Sequence, residues 1–190
     1  MSLGQRTHRP SSYHINDPKA VFEALGLRSG DVLLDLGCGA GDYALRASGI
    51  VGGDGKVYAV DSDADSIEHL MDRVRSEGIG NVDAIHADAT KRLPLADDSI
   101  DVCLLSTVLH NPVVKVNNKA VFQETIRVLK TNGRLFVIEC GDKDLSFGPP
   151  ASMRISPEEM EMMAVEHGYV KIKTVDLGFN YLMEFRKMEP

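Results

Sequence analysis

The stretch Asp35-Leu-Gly-Cys-Gly-Ala-Gly41 constrains this chain more than any other. Val32-Leu-Leu34 precedes it as an apolar run, and Tyr43-Ala-Leu-Arg-Ala47 resumes after it with good helix formers. That order reads as a buried parallel strand, a tight turn and a helix start, the first half of a βαβ unit. Glycines in such a turn let the backbone take φ > 0 and let a ligand approach without interference from Cβ. The helix that follows presents free N–H groups suited to a carboxylate or phosphate. The spacing of Gly37, Gly39 and Gly41 is G-x-G-x-G, not the G-x-G-x-x-G of the dinucleotide fingerprint.

The rest of the chain continues the alternation. Asp17-Pro18 marks a helix start, with Val21, Phe22 and Leu25 as its apolar stripe and Gly26 as its end. Gly49 to Gly55 reads as a glycine-rich turn, and Lys56 to Asp61 as a second strand ending in an acid. Ser62 or Asp63 caps a helix whose Ile67, Leu70, Met71 and Val74 fall on one face. Val82 to His86 and Asp101 to Ser106 are the third and fourth strands, and the spacing predicts one helix over 117–130. Asn132-Gly133 turns into a fifth strand, Arg134 to Glu139, and Cys140 to Arg154 reads as a loop. Ser156-Pro157-Glu158-Glu159 opens a last helix, in which Met160, Met162 and Met163 are core and its edge. Val170 to Val175 and Asn180 to Phe185 are two final strands, too close for a crossover helix and therefore antiparallel. The expected fold is α/β: a doubly wound, Rossmann-like, seven-stranded and mostly parallel sheet, one antiparallel strand near the edge, helices on both faces.

With its acid two residues before the first glycine, Asp35-Leu-Gly-Cys-Gly-Ala-Gly41 closely resembles the cofactor loop of class I S-adenosylmethionine-dependent methyltransferases. From Asp17 to Lys187 four features arrive in that family's order, each at the C-terminal end of a strand, where open α/β sheets bind ligands. The resemblance implies S-adenosylmethionine as cofactor. On it, Asp35, Gly37, Cys38, Gly39 and Gly41 cradle the methionine part, and Asp61, with Ser62 beside it, takes the ribose hydroxyls. Asp88 and the Ala89 backbone N–H take the adenine, and Ser106 meets the amino end. The family usually has threonine where Ala40 stands. The alternative for Asp61 is a helix N-cap, a job that Ser62 and Asp63 can also do, and for Asp88 a loop aspartate.

Methyl displacement from a sulfonium needs positioning first, and a base only where the acceptor must lose a proton. His110, just past the fourth strand, is the candidate base and Asn111 the candidate for orienting the acceptor. The alternative for His110 is a polar histidine beside a solvent-facing turn. Tyr13 and His14 are placed to close over the cofactor from an irregular segment, residues 1–16. The end of the fourth strand lacks the Asn/Asp-Pro-Pro-aromatic motif of nucleic-acid amino-methylases and the acidic ligand of metal-dependent catechol-type enzymes. The pattern is nearest the quinone-biosynthesis methyltransferases, with a small-molecule acceptor. Methylation of a protein or RNA, a non-catalytic cofactor-binding subunit and a Rossmann nucleotide binder are the other readings.

Bulk properties agree. The chain has 190 residues, suited to one domain over 1–190, and a net charge of −7 with no dense Lys/Arg block, which disfavours nucleic acid. No run approaches the roughly 18 apolar residues of a membrane span. Met1 to Pro10 lacks the apolar core of a secretory signal, and Cys38, Cys103 and Cys140 lack CxxC pairing or a metal-ligand spacing. These features lead to an expected cytoplasmic protein, monomer or homodimer, with no metal site.

Overall fold

The computed structural model describes residues 11–141 and 147–188. The elements are α1 (Pro18–Leu25), β1 (Val32–Leu36), α2 (Asp42–Val51), β2 (Lys56–Asp61), α3 (Ala64–Ser76), β3 (Val82–His86) and β4 (Ile100–Ser106), then α4 (Pro112–Val116), α5 (Asn118–Val128), β5 (Leu129–Cys140), α6 (Pro157–Glu166), β6 (Tyr169–Asp176) and β7 (Asn180–Lys187). They form one sheet in the order β3-β2-β1-β4-β5-β7-β6. All pairs are parallel except β5–β7 and β7–β6, so β7 is the reversed strand that the short 177–179 link requires.

Apolar strand residues alternate between two cores. Leu34, Leu36, Cys103, Leu105, Leu135 and Val137 pack on one face of the sheet. Leu33, Val102, Leu104, Phe136 and Ile138 pack on the other. Each fully buried leucine or isoleucine adds about 1.5–3 kcal/mol. Helices cover both faces because their entry points are fixed locally. Asp17 caps α1 through the Lys19 N–H at 2.9 Å with Pro18 at N1, and Ser156 caps α6 through the Glu159 N–H at 3.1 Å.

Three boundaries differ from the sequence reading. Helix α2 runs through Gly49 to Val51, so the turn begins at Gly52, because Ala47, Ser48 and Val51 are held in the core. The helix expected over 117–130 is the shorter α5, Asn118–Val128, and a separate helix, α4, precedes it; between them stands Asn117, whose Nδ2 donates to the Val113 carbonyl at 2.8 Å. Leu129 already belongs to β5, where it pairs with Ile100, and 130–133 form an excursion before Arg134 rejoins β4 opposite Val102. Gly133 suits that excursion, since a Cβ there would lie 2.9 Å from the Lys130 carbonyl. Of the segment read as a loop, residues 142–146 lie outside the described residues, as do 1–10 of the N-terminal segment. Ala151–Met153 is a short 3-10 turn.

The chain order reverses direction between β1 and β4, whose neighbours are β2 and β5. Their C-terminal ends therefore open a crevice, and the sequence motifs meet there.

Candidate cofactor and acceptor site

The glycine loop is held from three sides. Asp61, at the end of β2, accepts the Gly39 N–H at 2.8 Å through Oδ2 and the Asp63 N–H at 2.9 Å through Oδ1. Arg73 of α3 donates to the Ala40 carbonyl at 3.2 Å and to Asp42 at 3.0 Å. The three glycines do different work. Gly37 (φ +83°) and Gly41 (φ +79°) serve backbone conformation and packing alike, since a Cβ would lie 2.3 Å from Val108 Cγ2 at the first and 2.4 Å from Leu70 Cδ1 at the second. Gly39, at φ +51°, faces open space, and its backbone is the part of the loop left for a ligand.

Two cavities are lined by residues of this loop and a third lies beside them, with Thr107 on the wall of all three. The first, about 190 Å³, lies between Asp61 and Ser62 on one side and Asp88 and Ala89 on the other, with Leu36, Val60 and Val108 as apolar walls. Asp88 Oδ1 accepts the Thr90 N–H and hydroxyl, both at 2.8 Å, and these bonds hold its carboxyl below the usual range. The second, about 290 Å³, is lined by Gly37, Cys38, Gly39, Ser106, Tyr43 and Ser12. The third, about 560 Å³, has apolar walls from Ile15, Phe147, Pro149, Pro150, Met153 and Phe179, with His110, Cys140 and Asn180 among them.

His110 is no solvent-facing loop residue. Its ring Nδ1 is 2.8 Å from Glu139 Oε2, and its backbone N–H donates to Oε1 at 3.1 Å. Glu139 is fully buried at the end of β5. A carboxylate only accepts, so Nδ1 carries the proton and Nε2 is left as a lone-pair acceptor. Among the described residues Nε2 has no hydrogen-bond partner. Asn111 parts from His110: it caps α4 through the Val113 N–H at 2.9 Å and lines the 190 Å³ cavity, not the His110 cavity. The cap commits its Oδ1. Tyr13 packs edge-on to Tyr43 at 5.1 Å, and His14 lies 3.5 Å from Asp42, at the start of α2.

Asp35 lies behind the loop and lines none of these cavities. Both its oxygens are buried without a hydrogen-bond partner, and burial, reinforced by the charge of Asp61, raises its carboxyl to about 7. A folded pKa above the unfolded value stabilises the protein below about pH 4, and that contribution fades as pH rises through about 7. Asp35→Asn should therefore raise the melting temperature of the ligand-free protein at pH 8, on the order of 3 kcal/mol, and much less at pH 5. Melting curves at the two pH values check this; an equal shift at both would refute it. Burial also lifts the Cys38 thiol and takes Cys140 up to about 11, so neither is a thiolate at neutral pH. Among the described residues no three His, Cys, Asp or Glu side chains gather as a metal site, and no helix is long and apolar enough to cross a membrane.

The family model described as a methyltransferase domain matches residues 27–180. The chain belongs to the methyltransferase-domain family. It is 38% identical over 120 residues to the ubiquinone/menaquinone biosynthesis C-methyltransferase UbiE of Haemophilus ducreyi, covering 63% of this chain and 45% of that protein. Against UbiE of Pseudomonas paraeruginosa it is 32% identical over 172 residues, covering 90% of this chain and 63% of that protein. The chain thus spans roughly half to two thirds of the length of these relatives. The crystal structure of a SAM-dependent methyltransferase from Aquifex aeolicus superposes with a TM-score of 0.83 at 26% identity, covering 95% of both chains.

The cofactor of this methyltransferase domain is S-adenosylmethionine, and the residues present fit it. Open backbone at Gly39 and the hydroxyl of Ser106 suit its amino-acid end. The narrower cavity offers apolar walls between two carboxylates, which suits a nucleoside.

Several positions that line or support the candidate site were missed at the level of sequence. Glu139, Ser12, Tyr43, Arg73, Phe179 and Asn180 carry no motif. The one local hint was Glu139, an acid ending an otherwise apolar strand, as Asp61 does.

Proposed function

We propose that the protein is an S-adenosylmethionine-dependent methyltransferase acting on a small, neutral, quinone- or phenol-type acceptor. The observation that carries the reading is the His110–Glu139 pair, whose histidine lines an apolar cavity that shares Thr107 with the two cavities beside the glycine loop. Names of the UbiE relatives support the quinone-type acceptor. The lining of the acceptor cavity has no Lys, Arg, Asp or Glu among the described residues, which disfavours phosphorylated and nucleic-acid acceptors.

In this reading Asp61 and Asp88 would hold the nucleoside, and Gly39 and Ser106 the amino-acid end. Bound S-adenosylmethionine supplies an electrophilic methyl on a good leaving group. His110 Nε2 takes the proton of the acceptor hydroxyl, and Glu139 holds the ring in the tautomer that leaves Nε2 free. Phe147, Phe179 and the prolines exclude water from that transfer. Arg154 secures this wall. Its guanidinium donates to the carbonyls of Gly141 (2.9 Å), Phe147 (2.7 Å) and Pro149 (3.0 Å) and lies 5.0 Å over the Phe179 ring. Three free thiols agree with a reducing cytoplasm.

Thermal shift tests the cofactor half directly. S-adenosylhomocysteine at a hundred times its Kd should raise the melting temperature by roughly 5–10 °C, from about 2.7 kcal/mol of linkage. NAD and NADP should leave it unchanged. An equal shift with NAD would return the chain to the nucleotide-binding reading. A screen of phenols and hydroquinones for S-adenosylhomocysteine release then tests the acceptor.

A further inference from the structure

Residues 11–16 line both chambers, and among the described residues no backbone hydrogen bond ties them to the sheet. Their backbone bonds are local: His14 to Ser11, Ile15 and Asn16 to Ser12. Tyr13 packs edge-on to Tyr43 and His14 lies beside Asp42, and two buried polar side chains make the other long-range connections. Ser12 Oγ is 2.7 Å from Ser106 Oγ at the end of β4 and donates to the Tyr43 hydroxyl at 3.5 Å. Asn16 Nδ2 donates to the same hydroxyl at 3.1 Å, and its Oδ1 accepts from Asn180 at the start of β7 at 2.8 Å. Ser12 lines both the 290 Å³ cofactor cavity and the 560 Å³ acceptor cavity. The chain of bonds from Ser106 through Ser12, Tyr43 and Asn16 to Asn180 thus runs from one chamber to the other.

We propose that residues 11–16 are a latched gate of the cofactor site, with Ser12 and Asn16 as its latch. The proposal rests on the methyltransferase reading. Side-chain hydrogen bonds are individually modest, so a segment held by them opens far more readily than one held by sheet bonds or a buried apolar face. The network is also one donor short, since Asn180 Oδ1 is buried without a partner. A partly satisfied buried network is a weak point in a fold. Opening would uncover Ser106, Tyr43 and the glycine loop together, which is the path by which cofactor enters and product leaves. Closing restores the partition behind which the acceptor chamber is complete.

A gate has a kinetic signature that a plain contact lacks: loosening it speeds entry and exit together. Surface plasmon resonance of S-adenosylhomocysteine on the immobilised full chain reads both rates. For Ser12→Ala/Asn16→Ala, association and dissociation should each rise about tenfold or more while Kd stays within about threefold, each lost bond counting for roughly threefold to tenfold in opening. Tyr43→Phe removes the hydroxyl that both latch residues share and keeps the ring packing; it should move both rates the same way by about threefold. This single variant carries the test if the double variant melts early. Rates within about twofold of wild type overturn the gate, as does a rise in dissociation alone with a matching loss of affinity. Wild-type protein that binds no S-adenosylhomocysteine overturns the methyltransferase reading instead.

Discussion

Asp61→Ala should weaken S-adenosylhomocysteine binding by roughly 10²–10⁴-fold in calorimetry, the worth of two charge-assisted hydrogen bonds at about 1.5–3 kcal/mol each. The geometry sharpens this expectation. In the ligand-free site Asp61 already binds the Gly39 N–H and the Asp63 N–H, so it pins the open part of the loop to the end of β2. Removing it takes away a ligand partner and frees the loop on which the ligand lies. Asp61→Asn keeps an acceptor oxygen and loses the charge, so its affinity should fall between the two. A residue acting only as a helix cap would behave otherwise, losing about 0.5–2 kcal/mol of stability with affinity changed less than threefold. The melting temperature measured alongside separates these outcomes.

The features legible in the sequence are those whose meaning is local. Asp61 and Asp88 stand out because each acid ends or follows an apolar strand, and the strand-turn-helix character of 32–47 lies within one stretch. The antiparallel pair β6–β7 was legible for the same reason, since a link of three residues leaves no room for a crossover. The short helix α4 was not, because its 5 residues are too few to display a helical period.

The acceptor chamber is legible only in three dimensions. Glu139 lies far from His110 in sequence, and it reaches that ring only because β5 pairs beside β4 in a register that sets Ile138 against Ser106. Phe179 and Asn180 arrive from the reversed strand: pairing Cys140 with Asn180 carries the start of β7 to the C-terminal edge of β5. No spacing rule links these residues. The glycines show both sides: all three take positive φ as the turn reading expects, but the close approach of Val108 to Gly37 and of Leu70 to Gly41 depends on the tertiary fold.

His110→Ala should lower turnover by roughly 10²–10⁴-fold, the scale of a general base, with S-adenosylhomocysteine affinity within about threefold. Glu139→Gln is the more discriminating change. Glu139 accepts two donors from one residue, the His110 N–H at 3.1 Å and the ring Nδ1–H at 2.8 Å. Glutamine has one acceptor oxygen, so its amide must turn a donor toward one of them. The conflict is relieved when the ring moves its proton to Nε2, which converts the base into a donor facing the acceptor chamber. Turnover should then fall nearly as far as in His110→Ala, although the imidazole and the fold are both retained. If Glu139 merely fills space, the near-isosteric glutamine should cost less than about tenfold, and the pair would then be structural rather than part of proton transfer.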